Sequence, residues 1–446
     1  MVSSFGSEYH KEGSLRANAY GHHIISGSSF DTSSFGSNNQ ASAGMTAELL
    51  EDMSIIDDLY NEYGDTSEPD EIANESRHRE RELLLYDMYQ SEAQYIMNLV
   101  IARDAYLNPL RKQIPAQTSH GLLSGRIVCT DQELRLLFNN IEQLLELHQD
   151  YLAKLENRFR IWGPTQLISD VLRQMFPILK EYTPYMKAFP SAVVTYERLY
   201  KVQAFRKFTK TCQDESGHLG RNLFHLIQAP LTRIPHYVSI AQLLVKYTDH
   251  LHPDYAMIVQ YAQRMQLIAA DVQNLVDDSV RAARVMDVYT SIQNPPSLVT
   301  LYRRLHYSGE LYKVQSSGSG SSSAGMRHFY LFNDMLIWGR AKDSKGGPVQ
   351  YKGHIELTNA KVRMVGPERT ERKYALEIVT IEQQSMMAVS VVSNGLSLNN
   401  VASTSMVSIH LLAANSQEEQ ETWVREIQAV ADMLHNQRQA KIDRGK

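Results

Sequence analysis

The chain has 446 residues, enough for about three domains, and 43% of them are hydrophobic, which is ordinary for a soluble globular protein. It contains no run of about 18 apolar residues and no basic start followed by an apolar core, so we expect neither a membrane span nor a secretory signal. Two cysteines, Cys129 and Cys212, and sixteen histidines without ligand spacing predict free thiols and no metal site.

Charge is distributed unevenly along the chain. Residues 46–76 contain eleven acidic residues and no Lys or Arg, so the net charge of −5 leaves the remaining chain at +6. A body of that charge favours weak attraction to an anionic membrane surface. It is too weakly basic to predict a nucleic-acid partner.

The N-terminal part divides into two segments. Residues 1–45 are rich in Ser, Gly, Asn and His, and we expect them to be disordered. In the acidic segment 46–78, four apolar residues fall on one face of a helix: Leu49, Met53, Ile56 and Tyr60. This spacing predicts a short acidic helix. A disordered acidic linker is the alternative interpretation, because helices this short are marginal alone.

Helical periodicity dominates residues 79–290. Apolar residues recur at intervals of three and four from Leu84 to Pro109, and again in a long helix from Leu134 to Phe159. Thr130 or Asp131 is the predicted cap of that helix. No strand alternation occurs in this half, so the sequence predicts an all-α bundle.

Three blocks in this half carry a family resemblance. The third block, Leu223–Asn274, contains in one register Leu226, Ile227, Pro230, Leu231, Arg233, Ile234, Pro235 and Tyr237, followed by the His252–Tyr255 step His-Pro-Asp-Tyr. The first block is Ser91–Leu99, and the second runs from Phe138 to Leu155. Together the blocks closely resemble the Dbl-homology domain, the exchange module of Rho guanine nucleotide exchange factors.

The resemblance implies which residues contact a GTPase. In the family, the Glu of the first block contacts the switch I segment, and the matching residue here is Glu92. A fixed carboxylate can accept backbone N–H bonds and hold switch I in a rearranged state. The other candidates are Ala229 and Gln266 near switch II, Arg233 as either a contact or a structural ion-pair residue, and Arg221 and Asn222 for partner selection.

Three positions of the third block depart from the family pattern. Ala229 stands where Lys is frequent, Thr232 where Gln is usual, and His236 where Arg is usual. Ala229 removes a cationic contact to switch II. These departures keep open a non-catalytic scaffold of the same fold as the alternative to an exchange factor.

The pattern changes to strands after Asn294-Pro295-Pro296. The order is seven antiparallel strands forming a barrel, then a helix over 416–437 that carries Trp423. It resembles a pleckstrin-homology domain over residues 298–437, the usual tandem partner in that family. Lys313 and Arg327 are the candidate phosphoinositide ligands. The second Arg of the usual pair is absent, so we expect only weak association with anionic lipids.

These features together predict a cytoplasmic exchange factor for a Rho-family small GTPase, peripheral at the membrane when active. No cofactor, metal or covalent chemistry is expected. The acidic helix resembles the Tyr-containing helix that blocks the active face in Vav-type exchange factors, so Tyr60 and Tyr63 are candidate sites for a tyrosine kinase. A helical enzyme is the third class, and no motif supports it.

Overall fold

The computed structural model describes residues 69–119, 128–163, 165–215, 221–314, 325–341, 347–366, 368–384, 387–392, 395–400 and 404–444, with only the backbone for 69–74, 115–119 and 382–406. The predicted disordered tail and the predicted acidic helix with Tyr60 and Tyr63 lie outside the described residues.

Helices occupy the first part of the described chain. They are α1 (Pro69–Ile101), a π-helical segment (Ala102–Leu107), α2 (Asn108–Ser119), α3 (Asp131–Phe138), α4 (Ile141–Phe159), α5 (Ser169–Leu172), α6 (Met175–Lys180), α7 (Tyr182–Tyr200), α8 (Gln203–Asp214), α9 (Leu223–Gln228), a 3-10 turn (Ala229–Thr232), α10 (Arg233–Tyr247) and α11 (Tyr255–Ser291). None of the described helices is long and apolar enough to cross a membrane.

The first helix continues beyond the position where the sequence ends it. Pro109 has no backbone N–H and its ring crowds the carbonyl four residues before it, which normally breaks a helix. Here the π-helical segment Ala102–Leu107 ends two residues before the proline. Its wider hydrogen-bond spacing accommodates the proline, so the chain stays helical to Ser119.

The predicted long helix from Leu134 to Phe159 is two helices. Thr130 caps α3 through a capping box with Glu133, in which both reciprocal hydrogen bonds are present. Asn139 then adopts a positive φ of 49° and separates α3 from α4. Asparagine tolerates that conformation better than most residues, so the break has a local cause.

A carboxylate joins two distant segments of the bundle. Asp254 accepts hydrogen bonds from the backbone N–H groups of Ile168, at 2.7 Å, and Ser169, at 3.0 Å, and from the Ser169 hydroxyl. It is buried at the entrance to α11 and caps the first turn of α5. The His-Pro-Asp-Tyr step therefore has a structural role.

Strands follow α11. They are β1 (Ile292–Gln293), β2 (Leu305–Val314), β3 (Met326–Phe332), β4 (Met335–Ala341), β5 (Val349–Glu356), β6 (Lys361–Val365), β7 (Ala375–Gln384), β8 (Met387–Val392), β9 (Gly395–Asn400) and β10 (Thr404–Ala413), before the final helix α12 (Gln417–Arg444). The helical domain, the sheet domain and the C-terminal helix confirm the predicted fold class.

The sheet differs in detail from the predicted seven-stranded barrel. In the described residues, eight strands form one sheet in the order β1-β5-β4-β3-β2-β10-β7-β6, and β8 and β9 form a separate hairpin. The two end strands are not paired with each other, so the ladder does not close. The additional strand is β1, which pairs parallel to β5 directly after the last helix of the bundle.

The core of the sheet domain surrounds Trp423 of α12, which is 1% exposed. Its ring lies edge-on to Tyr307 and Phe329, and Leu311 and Leu376 belong to the same buried cluster. Burying a side chain of this size stabilises the packing of α12 on the sheet by a few kcal/mol, about 1.5–3 for a large apolar residue.

The junction between the two domains is held by backbone and side-chain bonds. Ile292 pairs with Val349, so β1 is part of the sheet as soon as α11 ends. Arg304 makes two hydrogen bonds to Asp278 of α11, at 2.7 and 2.8 Å. The last turns of the helical domain are thereby tied to the sheet domain at two points.

Candidate functional site

Glu92 lies on α1 and its carboxylate is completely buried. One carboxylate oxygen accepts hydrogen bonds from Arg233 Nη2 at 2.5 Å and from the Tyr237 hydroxyl at 2.6 Å. The other lies 2.5 Å from His148 Nδ1. A carboxylate only accepts, so Nδ1 carries the proton. Because His148 belongs to α4 and the other two partners to α10, Glu92 joins three helices.

The electrostatics of this group keep the carboxylate ionised. Burial alone raises the pKa of Glu92, but the contacts with His148, Arg233 and Tyr237 outweigh it and lower the pKa to about 2. Burial lowers the pKa of Arg233, and Tyr237 and Glu92 reverse that effect, so its net shift is upward. The pair is therefore charged and internally satisfied.

Aromatic side chains enclose the guanidinium. The guanidinium carbon of Arg233, Cζ, lies 4.7 Å from the centre of the Tyr95 ring and 4.6 Å from the centre of the Tyr237 ring. These distances are typical of cation–π contacts. The Tyr182 hydroxyl lies 2.7 Å from His148 Nε2 and 3.0 Å from the Tyr95 hydroxyl. These five residues, Arg233, Tyr237, Tyr95, Tyr182 and His148, form together with Glu92 what we call the Glu92 network.

Glu92 and Arg233 lie against each other in the structure. The sequence predicts a partner contact for Glu92 and leaves Arg233 as either a contact or a structural ion-pair residue. In the structure the two side chains form an ion pair, and Glu92 has no exposed surface. Arg233 thus takes the structural ion-pair role that the sequence left open. A contact between Glu92 and a partner stays a prediction, and it requires the carboxylate to exchange its internal partners.

His236 lies at the edge of the Glu92 network, half-buried on α10. Its Nε2 is 2.8 Å from the Ser91 hydroxyl, which donates to the backbone oxygen of Met88 at 2.9 Å. The Ser91 oxygen therefore accepts from the histidine, and the bond ties α10 to α1. Burial, and then the charge of Arg233, lowers the pKa of His236 to about 4, so the ring is neutral near pH 7.

The remaining candidates of the third block are accessible to different degrees. Gln266 is exposed on α11, and Thr232 is exposed at the end of the 3-10 turn. Ala229 is half-buried at the start of that turn, and its carbonyl accepts from the Thr232 hydroxyl at 3.1 Å. Gln266 is therefore a candidate contact residue with an exposed side chain.

Arg221 and Asn222 have local roles at the start of α9. The Asn222 side chain accepts from the backbone N–H of His225 at 2.7 Å, which is an N-cap. Arg221 Nη1 donates to Asn98 of α1 at 2.6 Å. Asn222 remains exposed, so a second role in partner selection stays a prediction.

The sheet domain gathers three cations. Lys313 Nζ lies 3.6 Å from the centre of the Trp338 ring, and burial followed by the charge of Arg327 lowers the pKa of Lys313. Burial and then Arg340 lower the pKa of Arg327. Arg340 therefore supplies, from β4, a charge near Arg327 that the sequence pattern did not identify.

Cysteine thiols and potential metal ligands are the other side chains of the described residues that could carry chemistry. No group of three His, Cys, Asp or Glu side chains in that part of the chain could hold a metal ion. Burial raises the pKa of the Cys129 and Cys212 thiols to about 11 in each case. Both thiols are thus protonated near pH 7 and poorly nucleophilic.

Sequence reasoning missed the residues that complete the Glu92 network. Tyr95 and His148 fall within the two stretches of helical periodicity, Leu84–Pro109 and Leu134–Phe159, and Tyr182 lies outside both. The available signal was their polar atoms, because a buried imidazole or hydroxyl needs a hydrogen-bond partner. The identity of that partner depends on how the helices pack.

Two family models match the chain. The model described as the RhoGEF domain matches residues 84–273. The model described as an SOS1/NGEF-like PH domain matches residues 299–430. The first match encloses the Glu92 network, and the second encloses Lys313, Arg327 and Trp423.

Similar curated proteins include Guanine exchange factor for Rac 30 of Dictyostelium discoideum, 25% identical over 58% of this chain and 15% of the relative. Phosphatidylinositol 3,4,5-trisphosphate-dependent Rac exchanger 1 protein of Mus musculus is 24% identical over 79% of this chain and 21% of the relative. The chain thus spans about a fifth or less of these relatives' length. Among solved structures, human RhoA in complex with the DH/PH fragment of PDZRHOGEF matches at 16% identity with a TM-score of 0.46, covering 80% of this chain and 95% of that one.

Proposed function

The chain carries a RhoGEF domain followed by a PH domain, and on that premise we propose that it is a guanine nucleotide exchange factor for a Rho-family small GTPase. The observation that supports this most is the RhoGEF match over 84–273, within which the Glu92–Arg233 ion pair joins the first and third blocks.

The proposed mechanism is non-covalent. The exchange factor binds the nucleotide-free GTPase more tightly than the GDP-bound form, so binding shifts the GTPase toward a state that releases GDP. In that state the switch segments and the Mg²⁺ site are rearranged. Gln266, Ala229 and Thr232 form the contact surface in this proposal, and the Glu92 network holds α1 and α10 in fixed positions beneath it.

Regulation and location belong to the same proposal. The acidic segment 46–78 lowers exchange activity, and phosphorylation of Tyr60 or Tyr63 by a tyrosine kinase relieves it, because a phosphate adds about −1.5 to −2 charge. The PH domain, through Lys313, Arg327 and Arg340, orients a cytoplasmic protein weakly at an anionic membrane.

A non-catalytic scaffold is the second candidate. It is favoured by the complete burial of Glu92, the residue expected to act on switch I, together with alanine at position 229. Such a protein binds a GTPase through the same surface and leaves the rate of GDP release unchanged.

Release of a fluorescent GDP analogue from a panel of Rho-family GTPases tests both candidates. The surface variant is Gln266→Glu, and its matched control is Gln143→Glu, the same change at an exposed position of α4. An exchange factor accelerates release, Gln266→Glu reduces the acceleration, and Gln143→Glu does not. Binding without acceleration supports the scaffold, and neither binding nor acceleration on any GTPase contradicts both.

The regulatory part is tested by comparing the full chain with residues 76–446. Faster exchange by the shorter protein supports inhibition by the N-terminal segment. Equal exchange rates contradict inhibition by the N-terminal segment. They do not change the conclusion on exchange activity drawn from the GTPase panel.

A further inference from the structure

We propose that the outer face of α8 (Gln203–Asp214) is a docking surface of the helical domain for an anionic lipid bilayer. From Arg198 to Asp214 the sequence contains five cationic residues and one acidic residue, Asp214. Three of the cations, Arg206, Lys207 and Lys210, are exposed on α8. We call these three the α8 cations.

The inner face of α8 is fully used for packing. Phe205 is 0% exposed and lies edge-on to Tyr196, and Phe208 lies edge-on to Tyr106. The Cys212 thiol donates to the backbone oxygen of Ala105. Because the apolar side is anchored, the side that carries the cations is held outward.

Asp214, the last residue of α8, is the only acidic residue of the helix, so the charge of its three cations is only partly neutralised along the helix. The neighbouring cations Arg198 and Lys201 are paired with Glu133 and Glu197. In the part of the chain that the structure describes, no such ion pair involves the α8 cations. Three cations against one carboxylate leave α8 with an excess of positive charge, which raises the local potential and attracts an anionic partner.

The shape and chemistry of the face favour a bilayer over other anions. The three cations are exposed on the outer side of a helix and line no pocket, which suits a broad charged surface better than a single enclosed phosphate. A nucleic acid is disfavoured, because both aromatic side chains of α8 point inward and none is exposed for base stacking. It is further disfavoured by the modest charge of the body as a whole.

The position of α8 fits the same assignment. Lys201, just before α8, is paired with Glu197 at 2.6 Å, and Glu197 also bonds the side chain of Tyr289 near the end of α11. The N-terminal end of α8 is therefore close to the junction with the PH domain. Membrane contact through α8 adds a second attachment point to that of the PH domain. The proposed membrane contact through α8 does not depend on whether the protein has exchange activity.

Co-sedimentation of the full chain with phosphatidylcholine vesicles, with and without phosphatidylserine, tests the proposal. The variant replaces Arg206, Lys207 and Lys210 by Gln. The matched control replaces three other exposed cations by Gln: Lys154 on α4, Arg173 directly after α5, and Lys180 at the end of α6. Each cation near an anionic leaflet contributes about a factor of five to the binding affinity, so the α8 variant is expected to lose about a hundredfold in affinity for phosphatidylserine vesicles. The control variant is expected to lose much less.

Three results would overturn the proposal. They are wild-type binding by the α8 variant, absence of wild-type binding to phosphatidylserine vesicles at low salt, and an equal loss in the control. A third variant, Lys313→Gln with Arg327→Gln, separates the PH contribution, and its loss is expected to add to that of α8. Preferential binding of an RNA or DNA oligonucleotide through the α8 cations would reassign the face to nucleic acid. Thermal melting verifies that every variant is folded.

Discussion

Replacing Glu92 by Gln tests the central feature of the helical domain, its buried ion pair. The change keeps the shape of the side chain and removes the charge, so Arg233 stays buried without its counter-ion. Breaking a buried pair in this way costs about 3–5 kcal/mol. Because 1 kcal/mol shifts the melting temperature of a domain of this size by about 2–4 °C, the expected decrease is roughly 6–20 °C.

A double variant separates the ion pair from the other contacts. Arg233→Met removes the positive charge, so Glu92→Gln combined with Arg233→Met contains neither buried charge. We expect the double variant to be more stable than the sum of the two single losses predicts, with a coupling of about 1–3 kcal/mol. Calorimetry or urea unfolding of the four proteins in the cycle measures this.

A surface pair is the control for that experiment. Arg111 and Glu142 are bonded at 2.7 and 3.0 Å, but their side chains are 49% and 46% exposed. Glu142→Gln should cost at most about 1 kcal/mol. The reasoning is refuted if Glu92→Gln melts as close to the wild type as Glu142→Gln does, or if the cycle is additive.

Two further predictions follow from the same contacts. The pKa of His236 is lowered from 6.5 to about 4, so the unfolded chain binds the extra proton first and stability falls by up to about 3 kcal/mol as pH drops through that window. The pKa of Glu92 is lowered from 4.5 to about 2, so a second loss of stability follows at lower pH, as this carboxylate becomes protonated. Urea unfolding midpoints measured against pH should show that His236→Gln removes only the loss at higher pH. At the domain junction, Asp278→Ala removes the two hydrogen bonds to Arg304 and should speed amide hydrogen exchange in β1 without lowering the main melting transition. The control Asp277→Ala removes only a hydrogen bond within α11 and should leave exchange in β1 unchanged. Equal exchange rates in β1 of the two variants would contradict the role of the Arg304–Asp278 bonds.

The order of elements follows largely from local sequence. Helical periodicity, the Thr130 capping box and strand alternation after Pro296 are properties of short stretches, and the structure contains each of them. The break at Asn139 and the π-helical segment before Pro109 were missed, although both also have local causes. Periodicity averages over a helix and does not register a single residue that changes its hydrogen bonding.

The sequence by itself determined that Glu92, Arg233 and Gln266 belong to one family pattern, because motif register needs no coordinates. Only the tertiary structure decided which of these side chains are buried and which are exposed. Glu92 lies 141 positions from Arg233 along the chain, and whether a carboxylate faces solvent or an arginine depends on which helix faces meet. That packing is a collective property of α1, α4 and α10. It buries two charges that the sequence alone would leave in water, and it leaves Gln266 and the α8 cations outside.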